Sequence, residues 1–421
     1  MNFKINYKEG KSFANISGDN NPIHLKDKEG HNSIFGEKIC HGCLVLIKFL
    51  KKINIEQVIN KKNQYSFKII FYKHFSYDKR IEIFKKKNIY TFYQSNQIIA
   101  EFKIYFFDKS FNQNLVKKKI IKLKYKKNKK QKKIDDLSLI LRNLSKYVGT
   151  IYPGKKSIIR DININFNNDI NFHDNRIVIF SKKKDKRFPI INNLIKFKKY
   201  KVQFQTLFRP TFQHKKNKIN KILKNKINQI KENILIIGAS SGIGNELLNI
   251  FKSNIKIKIF ASYYKNLIKI KKKNISIFKF DIEKPSKKII KILNKFNTLK
   301  VYYLATPKIR TDVSSYEIYD LYKKYYIDYP IKIIKSFKKK NMQFFYPSTV
   351  YINKINSTYT KTKKEAERRL KKIKDTNIKI NILRVEEVNT KQNLSLLHRK
   401  LPSFIELLNK NRVYQKKVFF N

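Results

Sequence analysis

The stretch Ile234-Leu-Ile-Ile-Gly238-Ala-Ser-Ser-Gly242-Ile-Gly244 is an apolar run that leads directly into three glycines. This order predicts a buried strand, a tight turn and the start of a helix. Glycines at such a turn let the backbone approach a pyrophosphate closely, and the amides at the helix N-terminus face its charge. Because glycines also form ordinary turns, the stretch needs support from the chain around it.

Apolar strand candidates recur after the glycine stretch, and segments long enough for helices separate them. In chain order they are Ile255–Ala261, Ile275–Phe280, Val301–Ala305, Phe344–Pro347 and Ile378–Leu383. Strands that alternate with helices are typical of a parallel sheet covered on both faces. We therefore expect an α/β, Rossmann-type, doubly wound parallel sheet over residues 232–421.

A second motif, Tyr359-x-x-x-Lys363, lies far downstream of the glycines. On a helix these two side chains would share one face. The two motifs together resemble the short-chain dehydrogenase/reductase family across the C-terminal half. The resemblance implies that the Tyr359 hydroxyl is the general acid for carbonyl reduction and that Lys363 lowers its pKa and holds the nicotinamide ribose. It also implies an upstream hydroxyl that binds the substrate oxygen, for which we prefer Ser348 and keep Thr349 as the alternative.

The same resemblance implies a nicotinamide cofactor and the residues that hold it. No acid follows the second strand in Phe260-Ala-Ser262-Tyr-Tyr-Lys265, which favours NADPH and leaves NADH open. Leu304-Ala-Thr-Pro307 replaces the family's Asn-Asn-Ala-Gly, so the family's active-site Asn has no counterpart that we can identify. The residues expected to contact the cofactor are Gly238, Ser240, Ser241, Gly242, Ile243, Gly244, Ser262, Lys265, Asp281, Tyr359 and Lys363.

Near the N-terminus, Phe13-Ala-Asn-Ile-Ser17-Gly-Asp19-Asn-Asn21-Pro-Ile-His24 is followed by Phe35-Gly-Glu-Lys-Ile-Cys-His41-Gly42-Cys-Leu44. Both motifs, in this order, resemble the MaoC-like, hot-dog fold enoyl-CoA hydratases that act on (R)-3-hydroxyacyl thioesters. Hydration of a conjugated thioester needs an acid and base at one water and a donor for the enolate oxygen. The resemblance gives Asp19 and His24 the water and the Gly42 N–H the carbonyl. Asn21 would orient the loop, and His41 would lie on the substrate side.

Residues from about 135 to 213 repeat the order of the first hundred, with a helical start and later strands. Ser145-Lys-Tyr-Val-Gly149-Thr-Ile-Tyr-Pro153-Gly154 looks like a degenerate copy without the acid and imidazole pair. We therefore expect an α+β double hot-dog unit followed by the Rossmann-type sheet. The expected parts are a hydratase-like domain at 1–115, a degenerate domain at 135–213, a lysine-rich linker at 214–231 and the reductase at 232–421. Lysine-rich residues 117–133 are a connector candidate.

The composition is strongly basic, with 96 Lys and Arg against 30 Asp and Glu and a formal net charge of +66. The abundant residue types all have A/T-rich codons and are spread along the chain, so base composition explains the charge without a nucleic-acid partner. A positive surface would still attract anionic thioester carriers, namely coenzyme A or an acyl carrier protein. The sequence has no membrane-spanning run, which predicts a cytoplasmic protein that needs no membrane.

Cys40 and Cys43 are the only cysteines and form a Cys-x-x-Cys. A redox pair or a zinc site completed by His41 and His24 are alternatives, but the hydratase resemblance explains the same residues better, and we expect no metal.

Taken together, the motifs predict a bifunctional enzyme. One half would reduce a 3-oxoacyl thioester with NADPH, and the other would dehydrate the 3-hydroxyacyl product or run in reverse. The alternatives are a reductase of a sugar or other carbonyl joined to an acyl-binding module, and a basic scaffold without activity. The oligomeric state stays open, with a homodimer as one option.

Overall fold

The computed structural model describes residues 1–55, 64–106, 119–124, 136–167, 171–172, 176–183, 190–209, 212, 218–282, 290–291, 293–309, 316–336, 341–394 and 400–420. The chain forms two compact units, of which the first spans Met1–Thr211 and the second spans Phe212–Leu394 and Arg399–Asn421. None of the described helices combines the length and the apolar character needed to traverse a bilayer.

The described strands of the first unit form one antiparallel sheet of ten strands. Their side chains alternate between buried and partly exposed, as in Gln64–Phe71, because one face of the sheet covers the core. In chain order the strands are β1 Asn2–Lys4, β2 Gln64–Phe71, β3 Arg80–Lys86, β4 Ile89–Gln94, β5 Gln97–Tyr105, β6 Lys119–Lys124, β7 Ser157–Asn167, β8 Arg176–Lys183, β9 Ile190–Phe197 and β10 Tyr200–Phe208.

The described helices of the first unit lie between β1 and β2 and between β6 and β7. The apolar residues of Gly42–Lys52 and Asp136–Lys146 belong to one core with the sheet, and the two helices contact each other. The helices are α1 Tyr7–Ser17, α2 Pro22–Leu25, α3 Asp27–His31, α4 Gly42–Lys52 and α5 Asp136–Lys146, which continues into a π-helical turn at Tyr147–Ile151.

The two halves of this sheet have the same topology. Outward from their junction, the strand order is β2-β5-β4-β3 in one half and β7-β10-β9-β8 in the other, and the antiparallel pair of β2 and β7 joins them. Each set of four strands follows one buried helix, α4 or α5. The structure therefore shows a repeated supersecondary unit in the region where the sequence suggested an internal duplication.

The second unit contains a six-stranded sheet in which every neighbouring pair is parallel. Its strands are β11 Asn233–Ile237, β12 Ile259–Tyr263, β13 Ile275–Lys279, β14 Thr298–Tyr303, β15 Asn341–Thr349 and β16 Ile378–Val385. Its described helices are α6 Lys221–Asn228, α7 Gly242–Phe251, α8 Tyr316–Lys323, α9 Tyr329–Ser336, α10 Thr358–Lys371, α11 Phe404–Lys410 and α12 Arg412–Phe419, with a π-helical turn at Lys324–Asp328 and a 3₁₀ turn at Lys391–Asn393.

The strand order of this sheet is β13-β12-β11-β14-β15-β16, which is the order of the Rossmann fold. Alternate residues of β11 enter two separate apolar cores, Ile234 and Ile236 on one face and Leu235 and Ile237 on the other. The predicted parallel sheet with helices is therefore confirmed. The strand order reverses between β11 and β14, and in sheets of this kind a ligand binds outside the carboxyl ends of the strands at that point.

Two sequence boundaries need correction. Residues 218–231 of the predicted linker include α6, whose Leu223 and Ile227 are fully buried in the second unit, so this part is packed structure rather than a solvated linker. Residues 214–217 of that linker lie outside the described residues. Lys119–Lys124, inside the connector candidate, forms the edge strand β6 paired with β8, and 125–133 lie outside the described residues.

Candidate active sites

The glycine turn after β11 is built by close backbone contacts. Gly238 has φ +88°, and a Cβ on Gly244 would lie 2.2 Å from the Gly238 carbonyl oxygen. A Cβ on Gly238 would lie 2.8 Å from the Ala305 nitrogen. The missing side chains therefore allow the start of α7 to pack on the end of β11, beside the segment that follows β14.

The N-terminus of α7 is open to a ligand. Ser241 occupies the N-cap position, is exposed, and makes no side-chain capping hydrogen bond to the helix. The first amides of a helix have no intrahelical acceptor, so those of Gly242, Ile243 and Gly244 are suited to a phosphate. Ser240 is partly buried in the same turn. This cradle fits the pyrophosphate of a dinucleotide.

The sequence predicted that Ser262 contacts the cofactor, but in the structure its hydroxyl contacts the glycine turn. Its side chain is 2% exposed, and its hydroxyl oxygen accepts the Gly238 N–H at 3.1 Å. The Ser262 carbonyl also accepts the Ala239 N–H. Ser262 thus fixes the glycine turn, whereas Lys265 is exposed beyond the end of β12 and Asp281 is partly buried beyond β13.

The close contact at Gly244 leads to a stability prediction. Gly244→Ala would place a methyl group against a backbone oxygen that cannot move without shifting β11 or α7. We expect a loss of about 1–3 kcal/mol in the free energy of unfolding, together with weaker dinucleotide binding. Lys256→Ala, at an exposed position just after the same helix, is the control and should change stability by less than about 0.5 kcal/mol. Equal melting temperatures for the two variants would show that the turn is not closely packed.

Tyr359 and Lys363 lie on successive turns of α10, which begins with a capping box between Ser357 and Thr360. The Tyr359 ring makes edge contacts with Tyr322 and Tyr326, at centroid distances of 6.0 and 5.6 Å. Burial raises the pKa of the Tyr359 hydroxyl, and the neighbouring Tyr322 adds to this effect. Tyr359 is therefore protonated at neutral pH, as a proton donor must be.

The Lys363 side chain is 5% exposed. Its Nζ donates to the Pro347 carbonyl at 2.6 Å and lies over the rings of Tyr326 and Tyr346, at 4.1 and 4.4 Å from their centroids. Burial lowers the pKa of Lys363 to about 7, against the charge of Glu367, which raises it. The charge of Lys363 therefore depends on pH near neutrality.

The candidate substrate hydroxyls, Ser348 and Thr349, are the last two residues of β15. Ser348 Oγ is buried without a hydrogen bond of normal geometry, and it lies on the side of Glu367. Burial would raise the pKa of Glu367, but hydrogen bonds from the paired Arg384 lower it. Thr349 is also buried, and its hydroxyl accepts the Tyr351 N–H. Within the described residues no hydrogen bond joins the Ser348 or Thr349 hydroxyl to Tyr359.

Sequence reasoning missed a group of residues between the glycine turn and Tyr359. Thr306, exposed just after β14, shares a 2.7 Å hydrogen bond with the buried hydroxyl of Tyr326. Tyr326 lies in the π-helical turn Lys324–Asp328, where the chain departs from α-helical bonding. A sequence signal existed, because Tyr322 and Tyr326 are spaced like two residues on one helix face.

Asp19 is the centre of the site in the first unit and is 3% exposed. Its Oδ1 accepts the Asn21 N–H at 3.2 Å, and its Oδ2 accepts the Ser145 hydroxyl at 2.6 Å. Burial raises the pKa of Asp19, whereas His41, Ser145 and the Asn21 N–H lower it. The carboxyl group is therefore held in place by partners from both halves of the first unit, namely Asn21 from the first half and Ser145 from the second.

His24 and His41 are stacked, with ring centroids 3.8 Å apart. His24 Nδ1 lies 2.8 Å from the Ile39 carbonyl, which can only accept, so Nδ1 carries the proton and Nε2 is a free base. Burial lowers the pKa of His24 to about 4, and the charge of Arg209 lowers it further against the hydrogen bond to Ile39. Burial, with His24 beside it, lowers the pKa of His41 to about 3. Both rings are neutral near pH 7.

Asn21 and Gly42, to which the resemblance gives roles beside Asp19 and His24, each lie at the start of a helix. The Asn21 side chain accepts the Ile23 N–H and caps α2, so it shapes the loop that carries Asp19 and His24. Gly42 is the first residue of α4, where a backbone N–H has no intrahelical acceptor. A Cβ on Gly42 would lie 3.1 Å from the Phe71 ring, so a side chain there would crowd the site.

The second half of the first unit completes this site, which the sequence did not reveal. Ser145 lies near the end of α5, and Gly149 lies in the π-helical turn that follows. A Cβ on Gly149 would lie 2.0 Å from Asp19 Oδ1. The second half, which has no acid and imidazole pair of its own, therefore donates one hydrogen bond to Asp19 through Ser145. The absence of a side chain at Gly149 leaves the space that the Asp19 carboxylate occupies.

The same cluster offers three metal-ligand atoms, one each from Asp19, His24 and His41, all within 4.8 Å of one another. A metal bound by imidazole lies close to the plane of each ring. The planes of His24 and His41 are inclined by only 27°, so their lone pairs do not converge on one ion. The geometry favours an acid–base site over a metal centre.

The two cysteines do not have the environment of a redox pair. Cys40 and Cys43 are both free and buried, and burial raises the pKa of each thiol. A thiolate, which both exchange chemistry and metal binding require, is disfavoured in such surroundings.

No protein-family model and no curated protein matches the chain. The similar solved structures include a short-chain dehydrogenase from Burkholderia cenocepacia in complex with NADP, 10% identical, covering 44% of this chain and 83% of that one with a TM-score of 0.38. Another, from Leptospira borgpetersenii with bound NAD+, is 15% identical over 47% and 82% of the chains with a TM-score of 0.34. A thiolation-reductase di-domain from an archaeal non-ribosomal peptide synthetase is 15% identical over 40% and 47%, with a TM-score of 0.31. Similarity at this level carries no functional argument.

Proposed function

We propose that the second unit is a nicotinamide-dependent oxidoreductase that reduces a carbonyl group, in the manner of short-chain dehydrogenases/reductases. The observation that carries the proposal is a continuous set of contacts along the carboxyl edge of the sheet. Gly238 abuts Ala305, the next residue Thr306 bonds Tyr326, and Tyr326 contacts both Tyr359 and Lys363. A phosphate cradle and a partly buried proton donor thus flank the switch point between β11 and β14.

In this proposal a bound nicotinamide cofactor supplies the hydride. The amides at the start of α7 bind the pyrophosphate, and Lys363 binds the nicotinamide ribose. Tyr359 donates its hydroxyl proton to the substrate oxygen. A positive charge on Lys363 eases this transfer, because it stabilises the tyrosinate that remains.

The direct test is to mix the purified full-length chain with NADPH and a panel of carbonyl compounds that includes 3-oxoacyl thioesters, sugars and simple ketones. Loss of NADPH absorbance with one substrate class, and formation of its alcohol by mass spectrometry, would support the proposal. NADPH that stays intact with every class would contradict it.

We further propose that NADPH is preferred over NADH, and here Lys265 is the residue that carries the argument. It is exposed beyond β12, where NAD-binding members of the fold place an acid, and it can meet a 2′-phosphate. We expect a fluorescence titration to give a lower Kd for NADPH than for NADH. In Lys265→Ala the difference between the two Kd values should be smaller. Lys269→Ala, also exposed, is the matched loss of one charge and should leave the difference unchanged. A clear NADH preference in the natural chain would contradict this assignment.

For the first unit we propose a double hot-dog hydratase. Two observations support it. Each half packs four antiparallel strands of the same order on a buried helix. Side-chain atoms of Asp19 and His24 lie within 4.8 Å of each other, and Ser145 of the opposite half donates a hydrogen bond to Asp19. Asp19 and the free Nε2 of His24 would hold one water between them. The Gly42 N–H would polarise the thioester carbonyl at the start of α4.

These two activities act on consecutive intermediates if the carbonyl substrate is a 3-oxoacyl thioester. Reduction gives a 3-hydroxyacyl thioester, and loss of water from that product gives the enoyl thioester. We therefore propose a bifunctional enzyme whose substrate is carried by coenzyme A or an acyl carrier protein, both anionic partners for a chain of net charge +66.

A further inference from the structure

Two tyrosine rings enclose the Lys363 ammonium group, and the resemblance to short-chain dehydrogenases/reductases does not imply either of them. The Lys363 side chain extends from α10 between Tyr326 of the π-helical turn and Tyr346 of β15, and its Nζ faces both rings. Aromatic faces attract an ammonium group electrostatically, and the attraction is strongest where water is excluded.

The two rings are themselves fixed in position. The Tyr346 hydroxyl donates to the Tyr326 carbonyl at 3.1 Å, and the Tyr303 hydroxyl donates to the Tyr325 carbonyl at 2.7 Å. A π-helical turn leaves carbonyls without their normal helical partners, and the two hydroxyls from the sheet satisfy them. The Tyr326 hydroxyl is held in turn by Thr306.

We propose that Tyr326 and Tyr346 are positioning residues that clamp the Lys363 ammonium between their ring faces, so that it is presented to cofactor and to Tyr359 in one orientation. The inference rests on the proposed reductase function of Lys363. It gives the π-helical turn a role, because this turn directs the Tyr326 ring at Nζ.

The clamp opposes the cost of burial. Burial favours the neutral amine, whereas the two ring faces, the Pro347 carbonyl and the Glu367 carboxylate favour the ammonium. The groups that act on Lys363 are the Tyr326 ring on the π-helical turn, the Tyr346 ring and the Pro347 carbonyl on β15, and Glu367 on α10, which is ion-paired with Arg384 on β16. Tyr359 lies one helical turn before Lys363 on α10.

The test replaces Tyr326 by phenylalanine and by a fluorinated phenylalanine, which keeps the size of the ring and withdraws its π-electron density. Tyr325→Leu is the control, because it removes a neighbouring ring that packs on Tyr329 instead. Competitive labelling of the full chain with trace acetic anhydride across pH, read on the Lys363 peptide by mass spectrometry, measures the pKa of this lysine without any assay of activity.

We expect the fluorinated variant to lower the pKa of Lys363 by about 0.4 to 1.5 units relative to Tyr326→Phe, and Tyr325→Leu to leave it at the natural value. The alkaline limb of the pH profile for kcat should move down by the same amount, because reduction requires the ammonium. An unchanged Lys363 pKa in the fluorinated variant would overturn the clamp. A lowered pKa in a chain that reduces no carbonyl would support the clamp and contradict only the reductase proposal.

Discussion

Tyr359→Phe should abolish carbonyl reduction while leaving the fold and dinucleotide binding intact. The substitution removes the proton donor, and general acid groups contribute about 100- to 10,000-fold to turnover. The ring keeps its contacts with Tyr322 and Tyr326, so the packing around Lys363 is preserved. We expect the loss in kcat with 3-oxoacyl thioester and NADPH, measured by absorbance, to fall in this range.

Tyr319→Phe is the matched control, because it removes the hydroxyl of an exposed tyrosine on α8. Its turnover should stay at the natural level. Hydration of an enoyl thioester should also survive Tyr359→Phe, since the proposed hydratase residues Asp19 and His24 lie in the first unit. Retention of most reductase activity in Tyr359→Phe would remove Tyr359 from the chemistry.

Asp19→Asn should reduce hydration of a short trans-2-enoyl thioester by about 100- to 10,000-fold. The amide keeps the size of the carboxylate; its oxygen can still accept the Asn21 N–H, and its NH2 can donate to the Ser145 hydroxyl oxygen, so the loss would reflect chemistry. Groups that act as one unit are non-additive, so the double variant with His24→Ala should be barely worse than either single one. Additive losses with lower melting temperatures would indicate a structural turn instead.

Ser145→Ala tests the contribution of the second half to this site. Its hydroxyl lowers the pKa of Asp19, so its removal should raise that pKa. Hydration needs the ionised carboxylate, and the acidic limb of kcat/KM should therefore move to higher pH. Ser138→Ala, a buried serine at the other end of α5, should leave the limb in place.

The sequence predicted the second unit well because its signals are local. The apolar run before Gly238, and every later strand candidate, overlap the observed strands β11 to β16. The four inner strands β11, β12, β14 and β15 are buried on both faces along most of their length and appear as largely apolar runs. The contacts of Ser262 and Ser348 could not be predicted, because they depend on neighbours that are distant in sequence.

In the first unit the motifs around Asp19 and Gly42 were visible, but their completion was not. Ser145 is 126 residues from Asp19 along the chain, and only the pairing of the two halves brings them together. The degenerate half therefore looked inactive in sequence. The aromatic clamp on Lys363 was equally hidden, because its rings come from a π-helical turn and from a separate strand.

The most direct test of the bifunctional reading is one incubation of the full-length chain with a 3-oxoacyl thioester and NADPH, followed in time by mass spectrometry. We expect that the substrate first gains two hydrogens and that this product then loses water. Tyr359→Phe should prevent the first step, and Asp19→Asn should let the hydroxyacyl product accumulate. A natural chain that consumes no NADPH and leaves the 3-oxoacyl thioester unchanged would contradict the account.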